Sequence, residues 1–236
     1  MLLKAETNPF QLLDERPQDT VRLANVWERV DNNSCPYQYN FHLHTSCSDG
    51  QLTPESLIEQ AIALGLKGLA ISDHHSVKGF YRAYKWLQEK SKFNPRVSLP
   101  YLWTGIEITS ELNGTNVHIL GYGFDPESEH LQKYLTGENP EGENAKAEKV
   151  IKSLHRAGGL VVLAHPFRYR RSAEELIREA YEVGIDGVEV YYAYGNPQPW
   201  IPSVKQTTQA LKLARRYNLY TTCGTDTHGN NILIRL

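Results

Sequence analysis

The sequence predicts an α/β fold in which mainly parallel strands form a sheet or a barrel. Seven short apolar runs rich in β-forming residues follow one another from residue 39 onward, and amphipathic helical stretches separate most of them. The chain has 236 residues, of which 40% are hydrophobic and 22% charged, and this is enough to bury one core of that kind. Sites in such folds lie at the carboxyl ends of the strands, so functional residues are expected there.

The seven predicted strands are all short and bounded by polar or turn-forming residues. They are YNFHLH (39–44), GLAISDH (68–74), LWTGIEITS (102–110), VHILGYG (117–123), LVVLAH (160–165), GVEVYYA (187–193) and LYTTCGTDTH (219–228).

Two of the intervening helices carry clear end signals. TPESLIEQAIALG begins at Thr53 as its N-cap and ends at Gly65. SAEELIREAYEVG begins at Ser172, with Glu175 as its capping-box partner, and ends at Gly184. Helices of this kind supply the crossovers that parallel strands require.

One connection is too short for a helix and predicts a hairpin between the third and fourth runs. Asn113-Gly114 is the favoured pair for a two-residue type I′ turn. Counting back from that turn places Thr109 opposite His118, and Glu107 on the same face as His118, one diagonal away. A carboxylate and an imidazole at that spacing can reach one metal ion.

Residues 1–38 are interpreted as an N-terminal extension, and residues 39–236 as the main domain. The stretch DTVRLANVWERV predicts a helix capped by Asp19. The predicted apolar positions of this helix are Val21, Ala24, Val26 and Val30.

Charge and cysteine usage exclude several classes of protein. The formal net charge is -2, so no global basic field indicates a stable nucleic-acid partner. The N-terminus has no long apolar run, which argues against a signal peptide or membrane span. The cysteines Cys35, Cys47 and Cys223 are odd in number and widely spaced, which favours a reducing, cytoplasmic setting, with Cys47 and Cys223 as small packing residues.

The distribution of histidines is the strongest functional signal. Of nine histidines, six lie at or near the ends of predicted strands: His42, His44, His74, His118, His165 and His228. Side chains at i and i+2 of a strand face the same way, so an HxH pair forms a two-armed ligand. Three acids accompany them: Asp49, Glu107 and Asp226.

These side chains together predict a metal centre. Burying so many titratable groups at one edge without neutralising them would be costly. Imidazoles and carboxylates without thiolates suit zinc, manganese or iron. Nine ligands are too many for one ion and fit two or three divalent ions.

Four segments resemble the motifs of the PHP (polymerase and histidinol phosphatase) domain family. They are FHLHTSCSDGQLTPESLIEQAIALGLKGLAISDHHSVKGF, GIEITSELNGTNVHILGYGFD, LAHPFRY and GTDTHG, which together span residues 40–229. The resemblance implies a distorted (β/α)7 barrel with three metals at the carboxyl ends of the strands. The order of the motifs resembles the nucleotide phosphatase and exonuclease branch.

The resemblance also implies how the ligands are divided. The first metal would take His42, His44, Glu107 and Asp226. The second would take Glu107 as a bridge, His118 and His165. The third would take Asp49, His74 and His228. One departure is DHH at 73–75, where that branch has DHD, so His75 is expected to alter the substrate pocket.

The predicted chemistry is hydrolysis of a phosphoester. Metal ions would lower the pKa of a shared water, and the resulting hydroxide would attack phosphorus in line. Glu107, Asp226, His228 and Arg168 are the predicted catalytic residues. Arg168, three residues past His165, is also the predicted phosphate clamp, because a guanidinium matches two phosphate oxygens.

Several nearby residues have two open interpretations. Asp73 either orients an imidazole or caps the following turn. Tyr191, Tyr192 and Trp200 either stack a base or belong to the core. The polar segment 125–147 is expected to be a solvated connector with one short helix, and the alternative is a lid.

The substrate class is expected to be a small phosphorylated molecule, such as a nucleotide 3′,5′-bisphosphate or an oligonucleotide end. Three alternatives stay open: an exonuclease on RNA or DNA, an amidohydrolase-type hydrolase, and a metal-bearing module without catalysis. An amidohydrolase of this kind would require a bridging Lys in the region that Glu107 and His118 occupy. A non-catalytic module would have lost ligands, and none is missing from the sequence.

Overall fold

The computed structural model describes residues 17–94 and 97–236, which contain eight strands and six α-helices. The strands are β1 (Tyr39–Asn40), β2 (Gly68–Ala70), β3 (Tyr101–Trp103), β4 (Gly105–Leu112), β5 (Thr115–Tyr122), β6 (Leu160–Leu163), β7 (Gly187–Tyr191) and β8 (Tyr220–Cys223). The helices are α1 (Thr20–Trp27), α2 (Pro54–Leu64), α3 (Lys78–Phe93), α4 (Ala147–Arg156), α5 (Ala173–Glu182) and α6 (Val204–Arg216). The predicted mixed α/β architecture is confirmed.

The strands form two sheets, where the sequence predicted one seven-stranded barrel. β1, β2 and β3 form a parallel sheet of three, and β4 to β8 form a sheet of five in chain order. Isolated bridges join Leu43 to Thr227 and His74 to Glu107, across the two junctions between the sheets. Among the described residues no continuous ladder joins the sheets, and their two junctions are held by separate hydrogen bonds such as Asp226 N to His42 O at 2.8 Å and His75 N to Glu107 O at 3.0 Å.

Eight strands replace the seven predicted because the run LWTGIEITS divides at Thr104. Trp103 pairs in parallel with Ala70 of β2, whereas Gly105 opens the antiparallel ladder against Tyr122. Thr104 lies between the two pairings and donates from its hydroxyl to Phe124 O at 2.8 Å. A continuous apolar run therefore changes partners at one residue, which periodicity alone does not reveal.

The predicted hairpin and both predicted helix caps are confirmed. Asn113 and Gly114 have φ of 46° and 80°, and Thr109 lies opposite His118. The Thr53 hydroxyl accepts from Ser56 N, and the Ser172 hydroxyl accepts from Glu175 N. The two helix stops, Gly65 and Gly184, both have positive φ.

Before β1 the structure describes residues 17–38, in which α1 packs into the core of the domain, and residues 1–16 of the predicted extension lie outside the described residues. Leu23 and Trp27 of α1 are completely or almost completely buried, and Asp19 caps the helix as predicted. The predicted apolar face was wrong at Val21, which is 72% exposed, because the buried stripe of α1 runs through Leu23 and Trp27.

Two expectations about cysteine are corrected. Cys35 and Cys223 form a disulfide, with their Cα atoms 5.9 Å apart, although the sequence favoured three reduced cysteines. The segment that follows α1 passes beside the end of β8, and this brings residues 188 positions apart into contact. Cys47 is free and only partly buried.

The connector 125–147 contains two described 3-10 helices, Gln132–Tyr134 and Gly142–Ala145. Leu131 and Tyr134 anchor it in the core. Gly137 N donates to His75 O at 3.0 Å, so the segment packs beside the loop that follows β2. In the described part of the chain, no helix combines the length and hydrophobicity needed to cross a bilayer.

Candidate metal centre

The six predicted histidines and three acids converge at the carboxyl ends of the parallel strands. The structure contains three groups in which the ligand atoms lie within 4.8 Å of one another. These groups are His42, His44, Glu107 and Asp226; His74, Glu107 and His118; and His44, Asp49, His74 and His228.

The first group is entirely buried between β1, β4 and the turn after β8. His42 Nε2 lies 3.0 Å from Glu107 Oε2 and 3.3 Å from Asp226 Oδ1. His44 Nε2 lies 3.0 Å and 3.2 Å from the same two oxygens. The extended backbone beyond β1 points both imidazoles to the same side, as the i, i+2 spacing predicts.

In the second group His74 Nε2 lies 3.6 Å from Glu107 Oε2, and the other oxygen of Glu107 faces His118 of this group and also His165, which is in none of the three groups. His118 Nδ1 lies 2.7 Å from Glu107 Oε1, and His165 Nε2 lies 3.4 Å from it. The Tyr169 hydroxyl accepts from His118 N at 2.8 Å and holds that strand in place. Glu107 therefore has imidazoles on both carboxylate oxygens, which is the geometry a bridging ligand needs.

The third group is the most open to solvent. Asp49 Oδ2 lies 3.2 Å from His228 Nε2 and 3.8 Å from His74 Nε2. His44 Nδ1 is 3.6 Å from Asp49 Oδ1, so His44 faces both the first and the third group. The sequence assigned His44 to the first group alone.

Unsatisfied nitrogens test whether these residues fit metal ions. Both ring nitrogens of His44 and of His165 are buried and have no hydrogen-bond partner among the residues that the structure describes. Buried polar atoms are almost always satisfied in folded proteins. For His44, the carboxylate oxygens lie at 3.0 to 3.2 Å without making hydrogen bonds to the ring, an arrangement that a shared cation explains.

The pKa values follow from this crowding of opposite charges. Burial opposes a charge on His44, but the carboxylates of Asp226 and Glu107 raise its pKa to about 9. Burial lowers the pKa of His74 to about 4 in spite of Glu107. Burial acts to raise the pKa of Glu107, yet the rings of His42 and His118 hold it well below the usual range. The acids are thus ionised near neutral pH and available as ligands.

Glu189 is a member of the site that sequence reasoning missed. Its Oε1 lies 2.9 Å from His42 Nδ1, and its Oε2 accepts from His165 N at 2.9 Å. A carboxylate behind a ligating imidazole fixes the tautomer and the ring orientation. The available signal was a single charged residue in the apolar run GVEVYYA.

Asp226 is held from behind by three donors. Arg168 Nη1, the Tyr192 hydroxyl and Arg235 Nε lie 2.9, 2.7 and 2.8 Å from its Oδ2. The structure therefore places Arg168 beside the ligand groups, bound to a ligand carboxylate. Arg235 was missed, because it lies beyond the last motif.

His75 and Asp73 differ from the sequence predictions. His75, expected in the substrate pocket, is only 2% exposed and lies outside the three ligand groups, where its Nε2 is 3.3 Å from Thr109 N and Oγ1. Asp73 neither orients a ligating imidazole nor caps the next turn. Its oxygens accept from Thr45 N, the Thr45 hydroxyl and the Ser48 hydroxyl at 2.7 to 2.8 Å, which holds the loop that carries Asp49.

The aromatic candidates separate into two kinds. Tyr192 lies beside the candidate metal ligands, with its ring centroid 5.5 Å from that of His165. Tyr191 and Trp200 belong to the hydrophobic core, in agreement with the packing interpretation.

A close contact also fixes the spacing of the ligand strands: a Cβ at Gly224 would lie 2.2 Å from His42 Cβ.

A family model described as the PHP domain matches residues 40–221. The chain is 24% identical to the 5′-3′ exoribonuclease Rnm of Escherichia coli over a gapped alignment of 262 positions, which covers 80% of this chain and 85% of that protein. It is 30% identical to a 5′-3′ exoribonuclease of Haemophilus influenzae over 51% of this chain, and 33% identical to a 3′,5′-nucleoside bisphosphate phosphatase of Chromobacterium violaceum over 50%. Those two matches span 41% and 39% of the relatives' lengths.

Solved structures share the fold over most of the chain. A protein of Bifidobacterium adolescentis described as a metal-dependent phosphoesterase has a TM-score of 0.64 at 27% identity, covering 83% of this chain and 89% of that one. A protein of Chromobacterium violaceum described as an amidohydrolase has a TM-score of 0.68 at 21% identity, covering 84% and 90%. At 21% identity the second likeness concerns the fold alone.

Proposed function

The chain belongs to the PHP domain family, and we propose that it is a metal-dependent phosphoester hydrolase acting on a small phosphorylated nucleotide. Two of the relatives are named as a 5′-3′ exoribonuclease and a 3′,5′-nucleoside bisphosphate phosphatase, both hydrolases of phosphoesters, which supports this class of reaction. The observation that carries the proposal is the buried, unsatisfied imidazole nitrogens of His44 and His165 beside ionised carboxylates.

We assign the ligands to three positions that share residues. His42, His44, Glu107 and Asp226 would hold one divalent ion, Glu107 with His118 and His165 a second, and Asp49, His74 and His228 a third. The donor set suits zinc, manganese or iron. Such ions supply an activated water and positive charge for the phosphoryl oxygens.

The protein's own residues would keep this centre in one geometry. Glu189 orients His42 and fixes the backbone at His165. Arg168, partly exposed beside Asp226, can turn its remaining N–H groups toward a substrate phosphate. His228 lies at the open edge with Asp49, where a substrate would enter.

We also propose that the two sheets form one barrel. The bridges between Leu43 and Thr227 and between His74 and Glu107 support reading the two sheets as one strongly distorted barrel, with residues 39–236 as the catalytic domain. The inward-facing ends of both sheets would then enclose the metals.

Exonucleolytic trimming of RNA is the second candidate function, since the Rnm relative is named as a 5′-3′ exoribonuclease. Both candidates use the same hydrolytic step and differ in the length of the substrate. Parallel assays on adenosine 3′,5′-bisphosphate and on a 5′-phosphorylated oligoribonucleotide separate them.

The decisive variant is Glu107→Gln. Losing the bridging charge should remove metal and reduce turnover by more than the 10–100-fold typical of outer-shell partners. Metal content by mass spectrometry and turnover of adenosine 3′,5′-bisphosphate measure both effects.

Glu111→Gln is the matched control for that variant. Glu111 lies on the same strand β4, four residues further on, and pairs with Lys146 at the surface, so its loss should leave metal and turnover intact. Full metal content and full turnover in Glu107→Gln would refute the bridging role.

A further inference from the structure

The residues that follow β8 bring a second arginine to the metal centre. Arg235 Nε lies 2.8 Å from Asp226 Oδ2, and Arg168 Nη1 lies 2.9 Å from the same oxygen. Their side chains are 17% and 38% exposed, so neither arginine is fully enclosed.

The backbone that carries Arg235 is held in place at several points. Ile232 is fully buried, its N–H donates to Gln60 Oε1 at 3.0 Å, and its carbonyl accepts from the Thr225 hydroxyl at 3.0 Å. The carbonyl of Arg235 itself accepts from His228 N at 2.7 Å. A segment fixed in this way delivers its side chain with little loss of conformational entropy.

The two guanidinium groups outnumber the carboxylate that they contact. One carboxylate oxygen of Asp226 receives two guanidinium groups and the Tyr192 hydroxyl, while Oδ1 faces His42 and His44. Two positive groups therefore share one negative charge. Each guanidinium has five N–H donors, of which the contacts with Asp226 use only one each, so donors remain for an anion.

We propose that Arg168 and Arg235 form a two-arginine clamp for a second phosphate of the substrate, and that Arg235 selects bisphosphorylated over monophosphorylated nucleotides. This inference rests on the proposed function of the same site. The reacting phosphate would lie over the metal ligands, and the second one would be bound at the Asp226 edge.

The test is Arg235→Ala, compared with the wild-type protein loaded with manganese. Calorimetric titration should show that affinity for a non-hydrolysable bisphosphonate analogue of adenosine 3′,5′-bisphosphate falls by about tenfold, the size of one charge-assisted hydrogen bond. Affinity for adenosine 5′-monophosphate and metal content should change little. Arg235→Lys, which keeps the charge but not the planar fork, should recover part of the loss.

Arg171→Ala is the control, because Arg171 pairs with Glu179 of α5 and should not alter either affinity. An equal loss for both nucleotides, or loss of metal, in Arg235→Ala and Arg235→Lys would overturn the inference and leave Arg235 as a support for Asp226. Because binding is measured without turnover, an inactive wild-type protein that still discriminates the nucleotides through Arg235 would refute the proposed reaction and not the clamp.

Discussion

Two clusters of aromatic rings occupy opposite ends of the strands and are stabilised in different ways. At the amino ends, Trp27 packs edge-on against Phe41 and Tyr122, with centroids 6.0 and 5.3 Å apart. At the carboxyl ends, the ring of His44 lies 4.4 Å from that of His228 and 4.8 Å from that of His74. The two clusters are adjacent in sequence, since Phe41 immediately precedes His42.

The two clusters depend on different interactions for their stability. The rings of Trp27, Phe41 and Tyr122 gain free energy from burial and from edge-to-face packing, and only one nitrogen among them, Trp27 Nε1, is buried without a hydrogen-bond partner in the described part of the chain. Imidazoles packed as closely keep nitrogens that require a donor, an acceptor or a cation. The amino-end cluster can therefore hold the fold together by itself, whereas the carboxyl-end cluster is completed by what it binds.

Trp27→Ala should have the largest effect, because it should lower stability without changing the metal content of the other cluster. Removing a fully buried indole should lower the free energy of unfolding by about 3–5 kcal/mol while metal content stays unchanged. Chemical denaturation and metal analysis measure the two quantities. Tyr37→Ala, at a 54% exposed aromatic residue nearby, is the control, and loss of metal in Trp27→Ala would mean that the clusters are not independent.

Glu189→Gln should act on the carboxyl-end cluster alone. The amide keeps the shape and an acceptor for the ring of His42 but removes the charge, so metal affinity should fall by about 10–100-fold. Competition with a fluorescent chelator measures this change. Glu179→Gln, whose carboxylate pairs with Arg171 away from the metal ligands, should behave as wild type, and unchanged affinity in Glu189→Gln would exclude an orienting role.

The smallest expected effect concerns pH in the metal-free protein. The pKa of His44 is raised from 6.5 to about 9, so its stabilising contribution is complete below pH 6.5 and is lost as the pH rises through 9. After chelation the melting temperature should fall by a few degrees over that window, at about 2–4 °C per kcal/mol. The metal-loaded protein should lack this decline, and equal pH profiles for both forms would contradict the assignment of His44 as a ligand.

Much of the centre could be predicted because its ligands come from local patterns. The spacing of His42 and His44 and the Asn113-Gly114 turn each fix geometry over a few residues, so Glu107 and His118 could be placed together from the sequence. Patterns of this kind need no knowledge of the remote chain.

The residues that were missed depend on contacts distant in sequence. Glu189 meets His42 across 147 positions, and nothing local distinguishes it from an ordinary strand residue. The disulfide between Cys35 and Cys223 depends on where α1 packs. Division of one apolar run into β3 and β4 was likewise set by tertiary pairing, which a periodic pattern does not encode.

The contact between Gly224 and His42 has a consequence for which ions the pocket accepts. With no room for even one methyl group between them, the backbones that bear His42 and Asp226 cannot adjust to ionic radius. Asp49, on a loop and 53% exposed, can move without disturbing the core. The candidate site would thus be rigid on the side of His42 and Asp226 and adjustable on the side of Asp49. A cation of unsuitable size would be accommodated by movement of Asp49, or would be lost from that side.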